Sequence, residues 1–476
     1  MVWDGCRPDL INAESTPYLW SLAERGVFCD NSRVCFPSQT RVSSASFITG
    51  SYPDKHRIAG NEMYVPEVNP EKAINVGDRA AVLALAELYG GRLFPIPTLG
   101  EVLEAAGLKV ALVSTASPGS GTIVGTGAGF VWNRAFCLPE DVEERIVERF
   151  GPMPAHSDTR ALNAYAARVA AEYVLPEVQP DVLLMWLCEP DTALHHCGFG
   201  SPEAKEALLH NDTLLRAVHE RMGEDAHVFV LSDHGHTPQA PGETIVREAV
   251  EAALQRVSGN RVVFAAEGVY FNRTPSPGEL ELVTRVLQES GEIGPIFSET
   301  PLPGVLPLSS VHLSGPHAPH IKFAYAWRRS SSSPDGCGYS FASPRSRLKS
   351  SHGSFAVTDM QNMLIAHGPR FGSGVVSSVP CGLIDVAPTV LSLFGIAPPE
   401  HWDGRVLWEL YAQDQGQATP APGREGAELV ESSEVLTASV RRGRFYYSQE
   451  VRLQRIGGTR YLDSARVVHE LAAFSR

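Results

Sequence analysis

The chain has 476 residues, of which 43% are hydrophobic and 20% are charged, a composition typical of a globular protein with a large core. Its 40 Lys and Arg residues and 54 Asp and Glu residues give a net charge of −14 at pH 7, so no overall basic surface indicates a nucleic acid or a membrane as partner. An anionic substrate would need a local source of positive charge. Since no run approaches the roughly 18 apolar residues of a membrane span and no signal-peptide pattern is present, we expect the chain as it stands to be cytoplasmic.

Short apolar runs alternate with segments of helical spacing along the first half of the chain. The expected strands are 109–115, 181–187 and 227–233, and the expected helices are 16–25, 98–106, 157–173 and 201–222. Continuous apolar strands are typical of parallel sheets that are covered on both faces. The alternation therefore predicts an α/β fold, a three-layer sandwich with a mostly parallel central sheet. Reactive groups gather at the carboxyl ends of such strands, where Asp233 lies.

The second half of the chain interrupts this pattern. The Pro- and Gly-rich segment 300–319 and the Ser- and Arg-rich segment 328–350 are expected to be loops within or beside an inserted cap at about 236–350 of a core spanning 1–410. A linker is predicted at 411–428, followed by a small β-rich unit at 429–476. Its antiparallel strands are expected at 436–442, 444–451 and 452–462, with a turn at Gly457-Gly458.

Five separated patches contribute oxygen or imidazole groups of the kind that bind metal ions. They contain Asp4 in DGCRPD, Thr40 in FPSQTRVSSASFITG, Asp191 and His195 in EPDTALHH, Asp233 and His234 in LSDHGH, and His352 in SHGSF. Three carboxylates and three imidazoles, without a thiolate, match what one or two zinc-like ions prefer. Because Asp191 and His195 are four residues apart, both would lie on one face of a local helix.

In this order the motifs resemble the alkaline phosphatase superfamily, and within it the type I phosphodiesterase / nucleotide pyrophosphatase branch. The resemblance extends from Asp4 to about Leu407 and also includes TPYLWSLAERG, YPDKHRIAGN and IDVAPTVLSLFGI with DGRVL. It implies that Thr40 is the nucleophile and a ligand at two divalent ions, zinc in the first place and manganese or iron as alternatives. The implied ligands of one ion are Asp191, His195 and His352, and those of the other are Asp4, Asp233 and His234.

The chemistry of these residues agrees with that resemblance. A threonine hydroxyl is a weak nucleophile near neutral pH, and bound divalent cations favour its alkoxide. Three ligand carboxylates and two divalent ions leave the pocket at about +1, which is the local positive charge that an anionic substrate needs. We therefore predict a metal-dependent hydrolase of phosphate diesters or nucleotide pyrophosphates, which acts on a small-molecule phosphate ester through a covalent phospho-threonine intermediate.

Three further residues are candidates for supporting roles. Ser43 occupies the place where this branch commonly has Asn to hold a phosphoryl oxygen, so it is a candidate substrate-binding residue. Arg41, beside the nucleophile, could bind a further substrate charge, which would favour a monoester or phosphonate; the alternative is a solvated arginine at a helix start. His236, two residues beyond His234, is expected to orient a metal ligand.

Other assignments stay open beside the leading one. The same metal core serves phosphomonoesterases, phosphonate hydrolases and phosphomutases, and a non-catalytic binding protein could share the fold. The spacing of Cys35 argues against a sulfatase. Cys35 lies fourteen residues before Thr49, whereas the sulfatase pattern has a spacing of nine residues.

Two segments depart from the expected patterns. The Gly-rich segment 117–130 lacks the Lys of a P-loop and is predicted to be a flexible loop near the active-site mouth. Only three residues precede Asp4, too few for a good central strand, which indicates a truncated N-terminus and weakens the cytoplasmic assignment.

Overall fold

The computed structural model describes residues 1–412 and 431–471. Its strands are β1 (Val2–Trp3), β2 (Val27–Cys29), β3 (Ser32–Arg33), β4 (Glu62–Met63), β5 (Ile74–Asn75), β6 (Val110–Ser114), β7 (Phe130–Asn133), β8 (Phe136–Leu138), β9 (Val182–Leu187), β10 (Val228–Leu231), β11 (Thr237–Pro241), β12 (Val262–Ala265), β13 (Gly268–Phe271), β14 (Ile293–Ser298), β15 (Leu306–Pro307), β16 (Ile321–Tyr325), β17 (Trp327–Arg329), β18 (Gly338–Ala342), β19 (Ser350–Ser351), β20 (Leu364–His367), β21 (Val375–Ser377), β22 (Cys381–Gly382), β23 (Glu431–Arg442), β24 (Phe445–Ile456) and β25 (Thr459–Leu471).

The α-helices of the same ranges are α1 (Pro17–Arg25), α2 (Thr40–Thr49), α3 (Pro53–His56), α4 (Arg79–Leu88), α5 (Leu99–Ala105), α6 (Pro118–Val124), α7 (Val142–Phe150), α8 (Thr159–Val169), α9 (Asp191–Cys197), α10 (Pro202–His219), α11 (Val246–Val257), α12 (Pro277–Glu289), α13 (Val357–Met360) and α14 (Val386–Leu393). A π-helix, Ala170–Val178, continues α8. Among these described residues, no helix is long and apolar enough to cross a membrane.

A nine-stranded, mostly parallel sheet in the order β21-β2-β20-β10-β1-β9-β6-β7-β8 forms the middle layer. Successive side chains of β6 enter different hydrophobic cores: Leu112 packs on one face of the sheet and Val113 on the other. Both faces are therefore covered, as the continuous apolar runs predict. The predicted three-layer α/β architecture is confirmed, with β6, β9 and β10 at the expected strands and α1, α5, α8 and α10 at the expected helices.

The first strand is shorter than a normal central strand, yet it lies in the middle of the sheet. Val2 pairs with Leu231 of β10 and with Trp186 of β9, and Trp3 pairs with Leu187. The strand before Asp4 is therefore as short as expected, although it occupies a central position. Parallel neighbours on both sides supply the hydrogen-bonding partners, and the fully buried Trp3 ring adds packing.

A second sheet, in the order β12-β13-β16-β14-β15, lies within the predicted cap and has its own hydrophobic cluster with α11 and α12. The prediction that 328–350 is a loop is wrong, because this segment contains β18, which pairs with β11 and β17. Gly338, Ser340 and Ala342 of β18 are buried, so small residues rather than large apolar ones occupy the buried positions of this strand. Segment 300–319 is largely irregular, as expected, apart from β15 and the 3₁₀ turn Leu308–Val311.

The C-terminal three-stranded antiparallel sheet β23-β24-β25 is confirmed, including the two-residue turn at Gly457-Gly458. The predicted break at residue 452 is wrong, since Arg452 continues β24 and pairs with Val435. Apart from residues 411 and 412, the predicted linker 411–428 lies outside the described residues. This sheet contacts the sheet of the cap and the core: Gln449 bonds the backbone of Ile296 in β14, and Tyr461 donates to Asp385, just before α14, at 2.8 Å.

Candidate active site

Three adjacent strands of the central sheet bring three carboxylates to one edge. Asp4 follows β1, Asp191 starts α9 after β9, and Asp233 lies two residues beyond β10. The order β10-β1-β9 places their carboxyl ends side by side. This is where functional groups collect in an open parallel sheet.

Asp191, His195, His236 and His352 form one group, called here the Asp191 cluster. As its i,i+4 spacing predicts, His195 shares a helix face with Asp191, and its Nε2 lies 3.2 Å from Asp191 Oδ1. His236 Nε2 approaches the same oxygen at 2.8 Å, and His352 Nε2 lies 3.8 Å from it. The structure thus brings together the three predicted ligands of one ion and places His236 against Asp191 rather than against His234.

Asp4, Asp233 and His234 form a second group, the Asp4 cluster. All three are buried, and His234 Nε2 lies 3.4 Å from Asp4 Oδ1 and 3.2 Å from Asp233 Oδ2. The rings of His234 and His352 stack with centroids 3.7 Å apart, so the two clusters are neighbours. The six predicted ligands therefore converge from all parts of the chain in the predicted division of three and three.

Backbone carbonyls fix the orientation of three imidazoles. Nδ1 of His195 donates to Ser350 O at 2.8 Å, Nδ1 of His234 to Gly235 O at 2.9 Å, and Nδ1 of His352 to Ser38 O at 2.7 Å. Because a carbonyl oxygen can only accept, Nδ1 carries a proton in each ring, and in the neutral ring the lone pair is then on Nε2. All three Nε2 atoms are thus prepared to bind a cation.

The Asp4 cluster also contains buried carboxylate oxygens that suit a bound cation. Among the described residues, neither Asp4 Oδ1 nor Asp233 Oδ2 has a hydrogen-bond partner, although both are buried. Burial, with Asp233 and Asp191 nearby, raises the pKa of Asp4 well above its usual range, and burial raises the pKa of Asp233 to about 7. Such carboxylates are costly without a positive partner, so the residues suit a bound metal ion.

Thr40 lies at the first position of α2, with Gln39 as its N-cap. Its hydroxyl Oγ1 is 3.2 Å from His234 Nε2, in direct contact with the Asp4 cluster. Thr40 is 5% exposed and is therefore almost completely buried. A helix N-terminus offers free amide donors and a favourable dipole to an anion, as the sequence predicts.

The two predicted substrate-binding residues lie on the first turn of the same helix. Ser43 is fully buried, and its Oγ has no partner among the described residues. Burial lowers the pKa of Arg41, while the charges of Asp4, Asp191 and Asp233 act in the opposite direction. Arg41 is half-buried and is influenced by the charges of these three carboxylates, and its buried Nε has no partner within the described ranges.

Two polar residues that the sequence pattern does not single out lie against this region. Asn61 Oδ1 accepts the backbone N–H of Arg41 at 3.1 Å, and its amide Nδ2, beside the start of α2, makes no hydrogen bond within the described residues. Arg134, in the turn after β7, lies near enough to Arg41 to lower its pKa. The only sequence signals are a polar residue within YPDKHRIAGN and an arginine after a short strand.

The Gly-rich segment 117–130 is not a flexible loop, contrary to the prediction. Residues 118–124 form α6, and Ser117 caps this helix by accepting the N–H of Ser120. A Cβ at Gly119 would lie 1.9 Å from Val76 O, so glycine is required for close packing rather than for mobility. The segment packs against α2 and so supports the helix that carries Thr40.

Comparison with known proteins places this site in a family. The model of the type I phosphodiesterase / nucleotide pyrophosphatase family matches residues 1–303. Ectonucleotide pyrophosphatase/phosphodiesterase C27A7.3 of Caenorhabditis elegans is 25% identical over 235 residues, which cover 49% of this chain and 27% of that protein. Human family member 1 is 25% identical over 239 residues, covering 49% and 22%. The chain spans about a quarter of the length of the curated relatives that it matches.

Solved structures share the fold at low sequence identity. The alkaline phosphatase PafA has a TM-score of 0.66 and 16% identity, covering 86% of this chain and 98% of that one. Murine ectonucleotide pyrophosphatase/phosphodiesterase 5 has a TM-score of 0.61, 15% identity and coverage of 84% and 95%. Phosphonoacetate hydrolase from Sinorhizobium meliloti has a TM-score of 0.57, 19% identity and coverage of 81% and 92%. The chain belongs to the type I phosphodiesterase / nucleotide pyrophosphatase family, and it shares its fold with the alkaline phosphatase PafA.

Proposed function

We propose that the chain hydrolyses phosphate diesters or nucleotide pyrophosphates with Thr40 as the nucleophile. The position of the Thr40 hydroxyl, 3.2 Å from His234 Nε2 at the N-terminus of α2, carries this proposal. Attack of Oγ1 on phosphorus forms a phospho-threonine and breaks the bond to the leaving-group oxygen, which takes up a proton. Water then attacks the same phosphorus, the bond to Oγ1 breaks, and Thr40 regains its proton.

The two clusters would hold two divalent ions. Asp191, His195 and His352 would bind one ion, and Asp4, Asp233 and His234 the other, whose ligand His234 contacts the Thr40 hydroxyl. Zinc suits this set of carboxylate and imidazole ligands, and manganese or iron are alternatives. When bound, such ions supply Lewis acidity that stabilises negative charge on the attacking and leaving oxygens.

The surrounding residues would orient the phosphoryl group. The amide Nδ2 of Asn61 and the hydroxyl of Ser43 are candidate donors to its oxygens, since neither has a hydrogen-bond partner among the described residues. The inactive form of murine ectonucleotide pyrophosphatase/phosphodiesterase 5 was solved in complex with AMP. That complex supports a small nucleotide-containing substrate for this chain.

Hydrolysis of phosphate monoesters or phosphonates is the second candidate function. Arg41 and Arg134 would add two positive charges beside a pocket whose ligands and ions leave about +1. A monoester dianion carries more negative charge than a diester, and guanidinium groups bind phosphoryl oxygens in bidentate fashion. These arginines therefore favour a more highly charged substrate than the metal ligands alone do.

The ratio of kcat/KM for a matched diester and monoester with the same leaving group decides between these functions. With metal-loaded wild type we expect the diester to be preferred, and Arg41→Ala and Arg134→Ala to change that preference less than threefold. A monoester preference that collapses in both variants would establish the second candidate. Lack of turnover of every phosphate ester and phosphonate by the metal-loaded protein would contradict the proposed function as a whole.

A further inference from the structure

Strands β12 and β13 of the cap form a hairpin, and the turn between them adopts a backbone conformation that its residues disfavour. Ala265 pairs with Gly268 in the β12–β13 ladder, so Ala266 and Glu267 alone form the turn. Their φ angles are +43° and +58°, in the left-handed region that Asn and Gly normally occupy in two-residue hairpin turns. Non-glycine residues in this region are strained, so surrounding contacts must hold this turn in place.

A buried lysine supplies one set of these contacts. Lys322 of β16 is 1% exposed, and its Nζ donates to the carbonyl oxygen of Ala266. The same Nζ lies 3.9 Å from Glu267 Oε2, and the backbone N–H of Phe323 donates to Glu267 O at 3.0 Å. A buried ammonium group needs such partners, so Lys322 fixes both the turn and the carboxylate that it presents.

The carboxylate of Glu267 reaches out of the cap to the residue before the proposed nucleophile. Glu267 Oε2 accepts a hydrogen bond from Gln39 Nε2 at 3.1 Å. Gln39 Oε1 in turn accepts the backbone N–H of Asn61 at 2.8 Å, and Asn61 Oδ1 accepts the N–H of Arg41 at 3.1 Å. A Cβ on Gly60 would lie 3.0 Å from Ala266 Cβ, so glycine there allows the turn to approach.

These bonds form one chain from the cap to the start of α2. We propose that Glu267 is a positioning residue, which through Gln39 holds Asn61 and the Thr40-Arg41 turn in their reactive arrangement. The cap then contributes to catalysis through this contact. The catalytic consequence rests on the proposed function of Thr40, whereas the mechanical linkage does not. The turn strain fits this role, because a relaxed turn with glycine at position 267 would lack the carboxylate.

The test compares Lys322→Met with Lys322→Met/Glu267→Gly, since removing Glu267 alone would leave a buried ammonium without its partner. Glycine relieves the turn, so the melting temperature of the double variant should be equal to or above that of Lys322→Met. Relative to Lys322→Met, we expect the double variant to have a kcat about tenfold lower, a KM that differs less than threefold and the same metal content. Gln39→Ala should lower kcat similarly, and adding it to the double variant should cause little further loss.

Amide hydrogen exchange tests the linkage without any turnover. Loss of Glu267 should speed exchange at the amides of Asn61 and Arg41 about tenfold, whereas Ala266→Gly, the matched control in the same turn, should leave exchange and kcat unchanged. Unchanged exchange, or a fall in kcat that follows a fall in melting temperature, would overturn the proposal. If loss of Glu267 speeds exchange but the wild-type protein hydrolyses no phosphate compound, the linkage is supported and the proposed function is contradicted.

Discussion

The hydroxyl of Thr40 lies 3.2 Å from Nε2 of His234, although 194 residues separate the two in the sequence. Nδ1 of His234 donates to the carbonyl of Gly235, so Nε2 presents a lone pair toward Thr40 and the two carboxylates of the Asp4 cluster. A cation bound by these ligands would lie next to the Thr40 oxygen. This contact places the proposed nucleophile next to the proposed ligands of one ion.

Replacing Thr40 with Ala should abolish turnover. The variant lacks the attacking oxygen but keeps all six carboxylate and imidazole ligands, so we expect kcat to fall by more than roughly a thousandfold, equivalent to about 4 kcal/mol in barrier. Metal content should stay near that of the wild type. Thr40→Ser is the matched control and should retain measurable activity, because it preserves the hydroxyl. A Thr40→Ala protein with a tenth of the wild-type rate would exclude Thr40 as nucleophile.

The convergence of the candidate ligands could be predicted because their positions combine local and topological signals. Asp4, Asp191 and Asp233 each follow an apolar run, and the order of a parallel sheet brings such positions together. The spacing of Asp191 and His195 directly indicates one helix face. In contrast, Arg134 and Asn61 reach the site from turns whose positions depend on tertiary packing, so no local pattern identifies them.

The errors in predicting the fold have a similar origin. Glycine and serine in 117–130 and 338–342 resemble loop residues, but tight packing against neighbouring backbone requires small side chains there. The two-residue strand β1 is stabilised entirely by its neighbours β9 and β10. In these segments tertiary contacts override local preference, which a single sequence does not display.

Removing the bound metal should destabilise the protein. Asp4 and Asp233 lie buried near each other, and each has an oxygen without a hydrogen-bond partner among the described residues, so a cation that binds only the folded chain should raise its stability. Elemental analysis should find about two zinc-like ions per chain. Dialysis against a chelator should lower the melting temperature by several degrees and abolish activity, whereas metal-saturated chelator should do neither. Full activity without any transition metal would contradict the two-metal proposal.

His236 should affect metal binding through Asp191. Its Nε2 lies 2.8 Å from Asp191 Oδ1, and its Nδ1 contacts Ser350 Oγ at 3.1 Å, so the ring fixes the orientation of that carboxylate. We expect His236→Asn to weaken metal affinity by about 10–100-fold, measured by competition with a chromophoric chelator. His196→Asn, in which an exposed histidine next to His195 is replaced, should leave the affinity unchanged. Equal affinities in both variants would show that His236 does not orient Asp191.

His56 should make stability depend on pH. This side chain is fully buried; Nδ1 accepts the N–H of Ile58 at 3.1 Å, and Nε2 donates to Ser46 Oγ at 2.9 Å. Burial lowers the pKa of His56 to about 3, below the value of about 6.5 in an unfolded chain. The unfolded state therefore binds the extra proton as pH falls from 6.5 toward 3, and the free energy of unfolding decreases in that window.

Between pH 7.5 and pH 5 this group alone should lower the free energy of unfolding by about 2 kcal/mol. Urea unfolding of the metal-loaded protein at both pH values measures the total change. His56→Gln should be less stable than the wild type at pH 7.5, because it disturbs two buried hydrogen bonds, but its loss between the two pH values should be smaller by about 2 kcal/mol. His401→Gln, at an exposed histidine, should reproduce the wild-type pH dependence. If the wild type and His56→Gln lose the same stability on acidification, His56 does not stay neutral in the folded protein.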